Sequence, residues 1–134
     1  MNTSGAVTKQ SRHSFAETIA KLSHAITAAG NTVFTTIDQS AAAAGVGLTL
    51  RPTTLIVFGN PAGGTHLMDA FPLVALELPL KILVWQDGDT VSVSYVPMAV
   101  TAMRFGLTGV ESRIAAMDLA LGKLTDLACS ELSR

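Results

Sequence analysis

A glycine-rich segment that begins at Gly59 is the strongest candidate in the sequence for ligand chemistry. It reads Gly59-Asn60-Pro61-Ala62-Gly63-Gly64-Thr65-His66 and follows the uninterrupted run Thr53 to Phe58. Small residues between a strand and a helix leave backbone amides accessible, and the start of a helix favours anions. We therefore expect a small anion or metabolite to bind here. The predicted ligand-binding residues of this segment are Gly59, Asn60, Gly63, Gly64, Thr65 and His66.

Two cationic side chains extend this predicted site. Arg51 and Lys81 are the only Lys or Arg residues between Leu22 and Arg104. The planar guanidinium of an arginine binds carboxylates and phosphates through paired hydrogen bonds, so both residues are added to the predicted ligand-binding set. An alternative interpretation stays open, in which the glycine-rich segment only reverses the chain and Arg51 pairs with a structural carboxylate.

Motifs of well-known catalytic and metal sites do not match this sequence. Gly59 and Gly64 have the spacing of a nucleotide-phosphate loop, but Thr65 follows where a lysine is required. The histidines and the single cysteine lack the spacing of zinc ligands, so no metal site is predicted and the roles of His13 and Cys129 stay open. Catalytic residues and cofactors are therefore unknown. The enzyme alternative uses His66 or Asp38 as an acid or base beside the glycine-rich segment.

Composition and charge restrict the class of protein. The 134 residues are 49% hydrophobic and 14% charged, against about 25% charged in a typical soluble domain, so we expect one folded domain. The net charge of −1 argues against nucleic acid as a partner. The longest apolar stretch, 71–85, is interrupted by two prolines, a glutamate and a lysine, which argues against a membrane span. No secretion signal is recognisable and Cys129 is unpaired, so a cytoplasmic location is expected.

A shortage of charge between Leu22 and Leu76 points to a covered surface. Only Asp38, Arg51 and Asp69 are ionised at neutral pH in this stretch. Depletion of charge marks the centres of protein interfaces, so we expect a homodimer. A surface of small neutral residues explains the same pattern, and a structural or protein-interaction domain is a further alternative to ligand binding.

Periodicity and turn signals predict the elements that hold these residues. Helices are expected at 14–29, 39–44, 66–71, 97–105 and 111–132. Strands are expected at 4–9, 32–37, 53–58, 81–85 and 91–95, the last two joined by the hairpin turn Asp87-Gly88-Asp89. This order predicts an α+β two-layer sandwich, with a mixed or antiparallel sheet and the helices packed on one face. Residues 1–12 are expected to be an N-terminal segment with a possible first strand, and residues 13–134 a single domain.

A series of short blocks resembles a known family. The blocks are His13-Ser14-Phe15 with Glu17-Thr18, Val33-Phe34 with Ile37-Asp38, Gly47-Leu48 with Leu50-Arg51-Pro52-Thr53, Phe58-Gly59-Asn60-Pro61 with Gly64-Thr65 and Leu67-Met68, and Leu78-Pro79-Leu80-Lys81 with Leu83-Val84-Trp85. Together they resemble the bacterial domain of unknown function 302 family over about residues 13–96. The resemblance implies an α+β sandwich that assembles as a homodimer, and it implies no established activity. The chain departs from the pattern at 71–76, which is more apolar, and at 96–98, where an Asn-Asp-Pro turn is expected.

Overall fold

A five-stranded antiparallel sheet organises the protein, and the computed structural model describes residues 4–130. The strands are β1 (Val7–Gln10), β2 (Thr32–Asp38), β3 (Thr53–Gly59), β4 (Leu80–Asp87) and β5 (Thr90–Tyr95). The helices are α1 (Phe15–Ala28), α2 (Gln39–Ala44), α3 (Pro61–Ala70), α4 (Met98–Phe105) and α5 (Glu111–Cys129), with a 3-10 segment at Pro72–Glu77. The predicted α+β class is confirmed.

The strand order in the sheet is β1-β5-β4-β3-β2, and every neighbouring pair is antiparallel. The predicted hairpin joins β4 to β5, with Gly88 at a φ of 58° in its turn. Strand β5 alternates apolar and polar residues, a pattern typical of a half-exposed strand, yet it is internal because β1 pairs with its outer side. The sheet edges are β1 and β2.

One face of the sheet forms the main core with α1 and α5. Side chains alternate between the two faces of a strand, so Ile56, Phe58, Ile82, Val84 and Val93 lie on the same face and are buried. They pack in one cluster with side chains from the two helices, among them Leu22, Ile26, Leu121 and Leu124. Burying each such side chain contributes about 1.5–3 kcal/mol, which makes this layer the main source of stability.

The ends of α1 follow from local chemistry. The Ser14 hydroxyl accepts a hydrogen bond from the Glu17 amide at 3.1 Å, and the Glu17 carboxylate accepts one from the Ser14 amide. This is the predicted capping box, and its hydrogen bonds lower the pKa of Glu17. Gly30 follows the helix at a φ of 87°, a conformation that side chains other than glycine rarely adopt.

A second, smaller core lies beyond the end of the sheet. Its buried members come from α3, the 3-10 segment, α4, the turn after α4 and the start of α5, and they are Leu67, Val74, Met98, Leu107 and Ile114. Asp118 links α5 to the start of α4. Its two carboxylate oxygens accept hydrogen bonds from the amides of Met98 and Ala99 at 2.6 and 3.0 Å. A side chain twenty residues away therefore caps α4, which no local pattern indicates.

Three element boundaries differ from the predictions by three residues or more. Strand β1 begins at Val7 rather than at residue 4. Helix α3 begins at Pro61 rather than at His66, because Asn60 caps it and Pro61 occupies the first helical position, where its missing amide costs nothing. Helix α5 ends at Cys129, since Ser130 is extended. The remainder of the predicted helix, up to Leu132, lies outside the described residues.

Replacing Asp118 by alanine tests its role as the cap of α4. The change leaves the amides of Met98 and Ala99 without their acceptor, so we expect the free energy of unfolding to fall by about 1–2 kcal/mol. Urea denaturation followed by circular dichroism measures this value. Asp69→Ala, on an exposed position of α3, is the control. Equal stability of the Asp118 variant and the control variant would show that the cap contributes nothing.

Candidate functional site

A cavity of about 470 Å³ lies at the end of the sheet where β3 stops and α3 begins. Its volume is within the range of about 300–1,000 Å³ that is usual for small-molecule sites. The lining residues come from the end of β3, the start of α3, β2 with the residue before it, the approach to β4 and the first half of α5. They are Asn31, Phe34, Gly59, Asn60, Pro61, Gly63, Gly64, Thr65, Met68, Leu78, Pro79, Leu80, Arg113, Ala116, Met117 and Ala120.

The walls of this cavity are mainly apolar. Phe34 stands at its mouth with half of its surface exposed, and Met68 and Met117 line it from α3 and α5. Methionine side chains are flexible and adapt to irregular apolar shapes. The polar side chains of the lining are those of Asn31, Asn60, Thr65 and Arg113, with the Thr65 hydroxyl donating to the Pro61 carbonyl at 2.6 Å.

The backbone amides of Ala62, Gly63 and Gly64 in the glycine-rich segment are not available to an anion. The Ala62 amide donates to the Asn60 side-chain oxygen at 3.1 Å, and the amides of Gly63 and Gly64 both donate to the Asn60 carbonyl at 3.0 Å. Pro61 has no amide hydrogen. The prediction of an open loop with free donors was therefore wrong, because the segment is the capped first turn of α3.

The glycines instead leave space. A Cβ atom built on Gly63 meets no atom within 4 Å, and one built on Gly59 comes to 3.6 Å from Phe34 and 3.7 Å from Pro79, both of which line the cavity. Larger side chains at these positions would occupy part of the cavity or narrow it. Glycine residues, which suggested a binding loop for an anion, thus widen an apolar cavity instead.

The structure brings five of the eight predicted ligand-binding residues to the cavity: Gly59, Asn60, Gly63, Gly64 and Thr65. The other three predicted residues lie elsewhere. His66 is exposed on α3 and does not line the cavity. Arg51 precedes β3, whose seven residues span about 20 Å to Gly59. Lys81 pairs with Val57 across the sheet, donates to the Glu77 carbonyl at 3.3 Å and lines a separate cavity of about 260 Å³. Binding by any of the eight stays a prediction.

Arg113 is the cation that does line the cavity, and sequence reasoning missed it. It lies in the first turn of α5, and within residues 4–130 its guanidinium forms no ion pair. Local sequence gives no signal for this position, because the second core, which contains Leu67 of α3 and Ile114 of α5, places Arg113 at the cavity. Arg51 and Lys81 were predicted instead because they are the cations nearest to the glycine-rich segment along the chain.

Asp38 has a structural role at the far end of β2. Its carboxylate accepts hydrogen bonds from the Ser40 hydroxyl at 2.7 Å and from the Ala41 amide at 2.9 Å, which caps α2. These hydrogen bonds lower the pKa of Asp38, so the carboxyl is fully ionised at neutral pH. Asp38 pairs with Thr54, whereas the other end of β2 pairs with Gly59 beside the cavity. Asp38 therefore lies away from the glycine-rich segment, whereas the enzyme alternative placed it beside that segment.

His13 and Cys129 lie near each other at the end of α5. The His13 ring forms a hydrogen bond of 2.5 Å with the Ser130 carbonyl, and Cys129 is buried. Burial raises the pKa of the Cys129 thiol, which keeps it protonated and unreactive. In the part of the chain between 4 and 130, no group of three His, Cys, Asp or Glu side chains is arranged to hold a metal ion.

The fold and the site define a class of protein: an antiparallel α+β domain with a mainly apolar cavity at one end of its sheet. A family model described as "Domain of unknown function DUF302" matches residues 7–124. The chain therefore belongs to this family, as the sequence blocks indicated. A crystal structure of an uncharacterized conserved DUF302 protein from Bacillus stearothermophilus has the same fold, with a TM-score of 0.86 at 19% identity over 94% of this chain and 98% of that one.

Longer relatives carry a functional name. A Brucella suis protein named "Fluoride-specific ion channel FluC 1" is 41% identical over 131 residues, which cover 96% of this chain and 51% of that protein. A Brucella abortus protein of the same name is also 41% identical, with 48% of its length covered. The chain thus spans about half the length of the curated relatives it matches. None of the helices within residues 4–130 has both the length and the apolar character needed to cross a membrane.

Proposed function

We propose that this protein is a small-molecule-binding module whose ligand occupies the cavity between the start of α3 and the first half of α5. The observation that carries the proposal is the cavity itself, about 470 Å³ in volume, with mainly apolar walls and a few polar side chains. This combination is typical of sites for small organic ligands, in which apolar walls supply affinity and a few polar groups fix orientation.

Glycines at the cavity wall support the proposal. Within a helix, glycine costs up to about 1 kcal/mol relative to alanine, yet the first turn of α3 carries Gly63 and Gly64 in succession. Neither glycine has a positive φ, and a Cβ at Gly63 has free space, so backbone geometry and neighbouring atoms do not require glycine at Gly63. Space for a ligand explains why a side chain is missing there.

Filling the cavity tests the proposal. The probe is N-phenyl-1-naphthylamine, a neutral aromatic amine that becomes fluorescent in apolar surroundings. Gly63→Leu places a side chain in the wall of the cavity, so we expect the dissociation constant of the probe to rise by about tenfold or more. Fluorescence titration measures it, and circular dichroism checks that the variant is folded.

The matched control is Gly122→Leu. Gly122 lies in α5, a Cβ built on it also meets nothing within 4 Å, and it does not line the cavity. We expect this control to bind the probe like the unmodified protein. Failure of the unmodified protein to bind, or equal loss of binding in both leucine variants, would contradict a ligand site in this cavity.

We further propose that the protein acts in the cytoplasm as a homodimer, whose contact surface includes β2 and the loop after α2. Six of the seven residues of β2 are exposed, and this strand is an edge of the sheet. The loop adds exposed apolar side chains at Val46 (74% exposed), Leu48 (66%) and Leu50 (43%). An edge strand whose single charged residue, Asp38, lies at its end, beside exposed apolar groups, favours association with another chain. These features support a second copy as the partner.

Sedimentation velocity tests the dimer. The unmodified protein is expected to sediment at twice its chain mass of 13.9 kDa, and the double variant Val46→Glu, Leu48→Glu at the mass of one chain, since charge at the interface opposes association. The control is Leu119→Glu, Leu127→Glu, which changes two leucines on α5 that are each 62% exposed. A monomeric unmodified protein at all concentrations, or a dimer that the loop variant leaves intact, would contradict this interface.

A second candidate function is regulation of a membrane channel. It is favoured by the 41% identity to half the length of proteins named as fluoride-specific ion channels. In this proposal the matched half of those relatives is a ligand-binding domain attached to the conducting part. Deleting that half from the Brucella suis relative is expected to leave fluoride efflux from vesicles measurable with a fluoride electrode. Complete loss of efflux from a deletion protein still inserted in the vesicles would contradict a purely regulatory role.

A further inference from the structure

We infer that the ligand of the cavity is an amphipathic anion, an apolar ring system or chain that ends in a carboxylate, sulfonate or phosphate group bound by Arg113. The inference rests on the proposed function and adds the chemical class of the ligand. Arg113 lines the cavity together with Phe34, Met68, Leu78 and Met117, so a cation and an apolar wall face the same space.

Within residues 4–130, the charges around Arg113 leave it free for a ligand. Among these described residues, those that line the cavity include no aspartate or glutamate. The nearest carboxylates along α5 are held by other groups: Glu111 accepts a hydrogen bond from the Gly109 amide at 3.1 Å, and Asp118 binds the amides of Met98 and Ala99. Because a guanidinium presents five donors and cannot lose its charge at neutral pH, an unpaired arginine at a cavity favours an anionic partner.

Asn60 adds neutral donors at the same cavity. Its side-chain oxygen accepts the hydrogen bond from the Ala62 amide, which fixes the orientation of the amide group. The NH₂ group of Asn60 is then left as the donor on a residue that lines the cavity. Donors on Asn60 and Arg113 are suited to the oxygens of an anionic group.

The apolar walls determine what else the ligand must contain. A small hydrated anion would lose its water on entering a cavity lined mainly by carbon and sulfur atoms, and that desolvation is costly. An apolar body attached to the anion compensates, because it buries its own surface against the methionines and Phe34. Inorganic phosphate or fluoride alone fits this cavity poorly, whereas an aromatic sulfonate or a fatty carboxylate fits it well.

A pair of matched probes tests the inference. The compound 8-anilinonaphthalene-1-sulfonate has the ring skeleton of N-phenyl-1-naphthylamine plus a sulfonate, so the ratio of the two dissociation constants isolates the contribution of the anion. We expect the sulfonate to bind about tenfold more tightly than the neutral amine, as is usual for a hydrogen bond to a charged group. In Arg113→Gln the ratio is expected to fall to near one. Lys123→Gln, an exposed position of the same helix, is the control and should leave the ratio unchanged.

The outcomes separate this inference from the proposed function. Binding of both probes with equal affinity, or a preference for the sulfonate that Arg113→Gln leaves intact, overturns the anion assignment while small-molecule binding stands. If neither probe binds, both the anion assignment and the proposed small-molecule binding are overturned. A dissociation constant of the sulfonate that Gly63→Leu does not raise also overturns the assignment, since the anion would then bind outside the cavity.

Discussion

Burial of one sheet face against α1 and α5 determines where every other part of the protein lies. Ile56, Phe58, Ile82, Val84 and Val93 form this face, and they are nearly inaccessible to solvent. Helix α5 is 19 residues long, about 28 Å, and only its second half contributes buried residues to this core. Its first half packs instead with α3 and α4 in the second core, and the cavity lies between that half and the end of β3.

Elements marked by local chemistry could be predicted from the sequence. The Ser14 and Glu17 capping box, the glycine after α1 and the Asp-Gly hairpin each involve neighbouring residues, so the sequence determines them directly. The glycine-rich segment was misread because Asn60-Pro61 is both a turn signal and a helix start, and in the structure it is a helix start capped by Asn60. Arg113 and the Asp118 cap depend on contacts between distant segments, which no local pattern encodes.

Membership of a family without an assigned activity leaves function to be argued from the site. The cavity is not an anion site built of backbone amides. The amides of Ala62, Gly63 and Gly64 already donate hydrogen bonds within the first turn of α3. The cavity combines apolar walls with the guanidinium of Arg113, which suits a ligand that has an apolar part and an anionic group. The relatives named as fluoride-specific ion channels match this chain over about half of their length.

Binding of a ligand in the space between α3 and α5 is the proposal to test first. The most direct measurement is a two-dimensional nitrogen–proton NMR titration of the labelled protein with 8-anilinonaphthalene-1-sulfonate, in which each backbone amide reports its surroundings. The account predicts that the amides of Gly59, Gly63, Gly64 and Arg113 shift first and saturate together. Shifts confined to Val46, Leu48 and the exposed residues of β2, with the cavity amides unmoved, would contradict it.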